Sequence, residues 1–184
     1  MTKEDKICVI GMGFIGITLS TALAEAGYKV NGVDVLLKVI KGLKDKTIHF
    51  FEPGLLKLLN RHANRNINFF TEIPDKSCNY YIICVGTPIH EADKSPNLNY
   101  LENAVSSLVN FIKKGDTIIL RSTVPIGTTR AMANIIEKGT NLIAGSDFFF
   151  GFVPERTVEG NAVKEIKQIP QIIGAFNENS RVSI

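Results

Sequence analysis

Three glycines and one acid carry the first chemistry legible in this chain. In Gly11-Met12-Gly13-Phe14-Ile15-Gly16 they follow an apolar run starting at Ile7 and precede a helix-length stretch, after which a second apolar run ends in Asp34. The glycines serve different ends. Gly11 allows a tight turn off a strand, Gly13 lets a pyrophosphate approach the backbone, and Gly16 lets helix and strand pack closely. Unpaired N–H groups around Phe14 and Ile15, together with the helix dipole, favour phosphate charge. Asp34 stands 23 positions after Gly11, close to the roughly 20 expected of an acid that accepts hydrogen bonds from ribose hydroxyls. A 2′-phosphate would meet repulsion there, and Val35, Leu36 and Leu37 follow where an arginine would be needed to reverse it. The pattern therefore predicts binding of NAD in preference to NADP.

The elements that must position these residues alternate between strand and helix. Short apolar runs at Lys6–Ile10, Lys29–Val33, 80–85, Thr117–Leu120 and 148–153, with a weaker one at Ile67–Phe70, suit a parallel sheet buried on both faces. Helical patterns occupy 14–26, 36–43, 53–63, 100–112 and 128–137. Pro53 beside Glu52 reads as a first-turn proline with an acid that suits the helix dipole. Thr128 or Thr129 reads as an N-cap. The expected fold is α/β, a Rossmann-type doubly wound, mostly parallel sheet forming a single domain over residues 1–184.

Ligands in such sheets bind outside the carboxyl ends of the strands. Three of those ends carry unusual residues: Val85-Gly86-Thr87-Pro88, Arg121-Ser122-Thr123 running on to Thr129, and Pro154-Glu155-Arg156 running on to Gly160. Gly86 permits close backbone approach and Thr87 offers a hydroxyl. Ser122 and Thr123 precede a turn, where they can touch cofactor or substrate.

Composition narrows the classes. With 184 residues, 45% of them hydrophobic, the chain can fill a substantial core. Its 21 basic and 18 acidic residues leave a formal charge of +3, and the bases are scattered, so no nucleic-acid footprint is visible. Cys8, Cys78 and Cys84 fit no metal spacing and are too few for a disulfide framework. They agree with a reducing, cytoplasmic setting, and those at 8 and 84 read as buried structural thiols. A targeting peptide is the rival reading of the uncharged run from Ile7 to Ala24, preceded by Lys3 and Lys6. Glycines inside the run cost about 1 kcal/mol each in a helix, Glu4 and Asp5 spoil a positive flank, and the run is at the short limit for a membrane span.

Together the motifs resemble the UDP-glucose/GDP-mannose dehydrogenases. Gly11–Gly16 with Asp34, Glu52-Pro53-Gly54-Leu55, Val85–Pro88, Ser122–Thr128, Pro154-Glu155-Arg156 with Glu159-Gly160, and Ile169–Gly174 occur in that family's order and spacing over nearly the whole chain. The resemblance implies oxidation of the C6 alcohol of a nucleotide sugar to a carboxylate with two NAD. It implies that Thr123 and Glu155 position substrate and a catalytic water, and that Glu159 lies by the nicotinamide end of the cofactor. Arg156 would clamp an anionic part of the substrate, or pair with a nearby acid. Arg156 also stands where the UDP-glucose enzymes place an aromatic, which is more like the UDP-N-acetylmannosamine branch. In the family a cysteine in a later domain carries the thiohemiacetal and thioester intermediates, and none of the three cysteines here has that context.

A truncated chain that binds NAD but turns over negligibly alone is therefore expected, with a separately encoded C-terminal half as a candidate partner. A non-catalytic NAD-binding interaction module is an alternative. A small β-hydroxyacid-type dehydrogenase is another, although Lys164 and Lys167 lack the catalytic-helix context that class requires.

Overall fold

The computed structural model describes residues 5–75 and 77–184. Lys3 and Glu4, the flank of the targeting reading, lie outside them. A seven-stranded sheet forms the centre, in the order β3-β2-β1-β4-β5-β6-β7. Its strands are β1 (Lys6–Ile10), β2 (Lys29–Val33), β3 (Ile67–Phe70), β4 (Tyr80–Ile83), β5 (Thr117–Leu120), β6 (Phe149–Phe152) and β7 (Gly174–Ala175). The first six pair in parallel and β7 runs antiparallel to β6. The chain reverses direction across the sheet between β1 and β4, which opens a crevice at the carboxyl ends of those strands.

Alternation along the strands divides the core into two. Ile7, Val9, Val30, Ile67, Phe69, Ile82 and Ile119 pack in one cluster with residues of α1 (Phe14–Glu25), α2 (Leu37–Lys44) and α3 (Leu55–His62). Cys8, Ile10, Tyr81, Ile83, Ile118, Leu120, Phe148 and Phe150 pack in the other with α4 (Asn99–Leu108) and α5 (Thr128–Thr140). A sheet covered on both faces is why its strands read as continuous apolar runs. Two short helices, α6 (Ala162–Glu165) and α7 (Glu178–Ser183), follow β6, and α7 packs on it. No helix among the described residues is long and apolar enough to cross a membrane.

One helix start and one helix cap differ from the sequence reading. Pro53 lies in a turn before α3, whose N-cap is Gly54 at φ 82°, so the helix begins two residues later than expected. The Glu52 side chain is buried and accepts hydrogen bonds from the N–H of Gly160 at 2.7 Å and of Val163 at 3.3 Å. Its charge therefore serves the turn leading into α6. At α5 the N-cap is Gly127, at φ 89°, and neither Thr128 nor Thr129 caps through its side chain. Backbone that needs positive φ selects glycine over a hydroxyl capper.

Candidate functional site

The glycine loop is shaped by contacts that a larger residue would break. Gly11 sits at φ 92°, and a Cβ there would come within 2.9 Å of the Cys84 carbonyl. A Cβ at Gly16 would overlap the carbonyl oxygen of Gly11. Both glycines are thus required by close backbone packing of β1, α1 and the end of β4. Gly13 differs, because nothing lies within 4 Å of the Cβ position. It leaves an open cradle on the outer side of the loop.

The start of α1 opens onto the same space. Its first helical bond runs from the N–H of Ile17 to the Gly13 carbonyl, and no side chain caps it. The N–H groups of Phe14, Ile15 and Gly16 are left without intrahelical acceptors, at the positive end of the dipole. The Phe14 ring is held from the side by Phe50, at 5.2 Å between centroids.

At the end of β2, half-buried Asp34 accepts hydrogen bonds from the N–H of Met12 at 2.8 Å and of Leu36 at 2.9 Å, one on each carboxylate oxygen. It ties the glycine loop to the β2 end while keeping lone pairs for a diol. A carboxylate accepts about four hydrogen bonds, so two sites remain.

Across the crevice, the ends of β4 and β5 are stitched together. The Thr87 hydroxyl donates to the Thr123 carbonyl at 2.8 Å, and the Ser122 hydroxyl donates to the Val85 carbonyl at 2.6 Å. A cleft of about 350 Å³ is lined by Gly13, Phe14 and Ile15 on one side and by Cys84 to Thr87, Arg121 to Thr123 and Glu155 on the other. Gly86, Thr87, Ser122, Thr123 and Glu155 are therefore brought together with the glycine loop. Cys84 is the cleft's thiol, and burial, the largest influence on it, pushes its pKa up to about 12.

Glu155 is the most constrained group in the cleft. One oxygen is ion-paired with Arg121, and the other accepts the N–H of Arg156 and of Thr157, both at 2.8 Å. Burial pushes this carboxyl upward, but the Arg121 guanidinium and the two N–H groups outweigh it and hold the pKa below the usual carboxylate range. Hydrogen bonds that require the charged form have this effect. Glu155 is thus an ionised, oriented acceptor at neutral pH.

Two residues singled out by sequence lie elsewhere. Arg156 is exposed, and its guanidinium donates to the Pro170 carbonyl at 2.8 Å. No ion pair with an acid is formed by it among the described residues. Glu159 is exposed and does not line the cleft, since it rides on the turn pinned by Glu52. The motifs give Arg121 no role, although a cation directly after the apolar strand Thr117–Leu120 is itself a signal. That it lines the cleft with a side chain only 6% exposed follows from its acid partner 34 residues later.

A loop that admits a diphosphate, an uncapped helix start, an acid poised for a diol and a cleft across the sheet's switch point together fit a dinucleotide. Residues 5–184 match the model of the UDP-glucose/GDP-mannose dehydrogenase family, NAD binding domain. The chain belongs to that family.

Within it, the chain is 36% identical over 182 residues to the UDP-N-acetyl-D-mannosamine dehydrogenase of Methanococcus vannielii, covering 97% of this chain and 40% of that protein. It is 34% identical over 177 residues to the enzyme of the same name from Pyrococcus horikoshii, covering 95% and 42%. The solved structure of the Pyrococcus protein superposes with a TM-score of 0.90 over the same shares. A ternary complex of GDP-mannose dehydrogenase from Pseudomonas aeruginosa gives 0.89 at 28% identity, over 96% of this chain and 42% of that one. The chain thus spans about two fifths of the length of the curated relatives it matches, and it corresponds to their NAD-binding domain.

Proposed function

We propose that this chain supplies the oxidant-binding half of a nucleotide-sugar 6-dehydrogenase that converts a C6 alcohol to a carboxylate. The observation that carries the reading is the cleft in which the glycine loop faces Thr123 and Glu155 across the switch point. Phe14, Ile15 and Gly16 would hold the pyrophosphate through their N–H groups, and Asp34 would accept the ribose hydroxyls. NAD held there would supply the acceptor for the hydride removed from the substrate.

Thr123 and Glu155 would orient substrate and water. Because Glu155 is ionised and already accepts from Arg121 and two N–H groups, it orders a donor more readily than it removes a proton. Arg156 would reach an anionic part of the substrate by exchanging its carbonyl partner for a bidentate one, and the family resemblance assigns Glu159 to the nicotinamide end of the cofactor. A UDP-N-acetylhexosamine is the preferred substrate class over UDP-glucose, on the grounds of Arg156 and of the relatives' names. A separately encoded portion carrying the reactive cysteine is the proposed partner.

The chain by itself would not complete the oxidation. Covalent catalysis needs an activated thiolate. Cys8 and Cys78 are fully buried and line no part of the cleft; the hydrogen bond between them raises the Cys8 thiol's pKa and lowers that of Cys78, while burial pushes the Cys84 thiol up to about 12. Incubating the chain with NAD and either UDP-N-acetylmannosamine or UDP-glucose, while following absorbance of NADH, should show cofactor binding without sustained turnover. Continuous NADH production by this polypeptide alone would overturn the reading that none of Cys8, Cys78 and Cys84 is the reactive thiol.

A further inference from the structure

We propose that Arg121 is a charge-balancing residue that sets the relative affinity of the cleft for the oxidised and reduced forms of the nicotinamide cofactor. This rests on the cofactor reading above and goes beyond it. Arg121 and Glu155 are the charged side chains lining the cleft, and they are paired to each other with side chains only 6% and 10% exposed. The pair is fixed from several sides. Arg121 also donates to the Gln171 side chain at 2.7 Å, the Glu155 N–H donates to the Arg121 carbonyl at 3.3 Å, and the Arg121 N–H donates to the Ile83 carbonyl at 2.9 Å.

The pyrophosphate end is defined by the α1 start, so the nicotinamide half of a dinucleotide crosses toward the β4 and β5 ends, where this pair sits. NAD+ carries a positive ring and NADH does not. A lone Glu155 in a poorly solvated cleft would hold the cationic ring, and a lone Arg121 would repel it. Paired, the two present no net charge, and the oxidised and reduced forms exchange without either being trapped. Such exchange is needed by an enzyme that oxidises one carbon twice with two cofactor molecules.

Titrations of the full chain with NAD+ and NADH at pH 8 test this directly. Arg121→Gln should raise the affinity for NAD+ relative to NADH about three- to tenfold, and Glu155→Gln should lower it by a similar factor, on the scale of unit charges interacting at an effective dielectric between protein and water. The double variant should return the ratio to within about twofold of wild type. A packing role alone would weaken both forms in parallel in each variant, and parallel loss or an unchanged ratio would overturn the proposal. Should Arg121→Gln fail to fold, Glu155→Gln decides alone, since a ratio that does not fall refutes the charge balance. A wild-type chain that bound neither form would refute the cofactor reading itself.

Discussion

Replacing Asp34 by asparagine separates its two roles, because the carboxylate holds the glycine loop and is also assigned to the ribose. In the native chain one oxygen accepts from Met12 at 2.8 Å and the other from Leu36 at 2.9 Å. Asparagine offers one oxygen and an NH2 group, so at least one of these N–H donors loses its acceptor. A hydrogen bond to a charged group contributes about 1.5–3 kcal/mol, and at this half-buried position water would recover part of it, leaving a cost of about 1–2 kcal/mol. At roughly 2–4 °C per kcal/mol for a chain of this size, the melting temperature should fall by about 2–8 °C. Loss of the charged acceptor for the ribose should add about 1.5–3 kcal/mol against NADH, or about ten- to 150-fold in affinity. NADPH, relieved of repulsion, should lose less, so the preference for NADH narrows. Fluorescence titrations with both cofactors and a thermal melt read all three effects. An Asp34→Asn chain with unchanged melting temperature and undiminished discrimination would refute the role given to this acid.

Other perturbations follow from the same geometry. Gly16→Ala should destabilise by about 3 kcal/mol or more, since its Cβ would overlap backbone, whereas Gly13→Ala, with open space around it, should melt normally yet bind NADH weakly; equal melts for the two would contradict the packing described. Glu52→Ala removes the buried acceptor of the Gly160 and Val163 N–H groups, at a cost of about 2–3 kcal/mol. Limited proteolysis should then cut between residues 155 and 163 faster than in wild type. Glu25 is held below its ordinary value of 4.5 by its hydrogen bond to His62 and then by Arg61. Its folded pKa lies below the unfolded one, so its contribution is complete above the ordinary carboxylate range and is lost as pH falls through the folded value. Melts of Glu25→Gln should therefore show a shallower decline below about pH 4.5, and an identical acid limb would show that the cluster joining α1 to α3 carries no linkage.

The strands and the glycine loop are legible in the sequence because their signals are local. The apolar run from Ile7 to Ile10, the spacing of Gly11, Gly13 and Gly16, and the acid closing the second strand each lie within one βαβ unit, where sequence distance and spatial distance agree. The start of α3 at Leu55 and the cap of α5 depart from expectation because Gly54 and Gly127, at positive φ, compete with the usual proline and hydroxyl signals. Strand β7 and helix α7 show no periodicity, since a two-residue edge strand and a six-residue helix carry too few residues for it, and the Asn177 cap of α7 is the one local mark of that helix.

By itself the sequence determined the fold class, the cofactor and the family. Apolar periodicity and a series of ordered motifs suffice for these, because each motif's chemistry is tied to its own stretch of backbone. Tertiary structure alone decided how the charges are used. Glu155 finds Arg121 from 34 positions away, and Glu52 finds Gly160 from 108. Asp34 anchors the very loop that its spacing only associates it with. Glu159 and Arg156 follow Glu155 closely in sequence yet stand outside the cleft that Glu155 lines. Buried polar groups must find partners, and the chain meets that demand across the fold, where no local pattern records the choice.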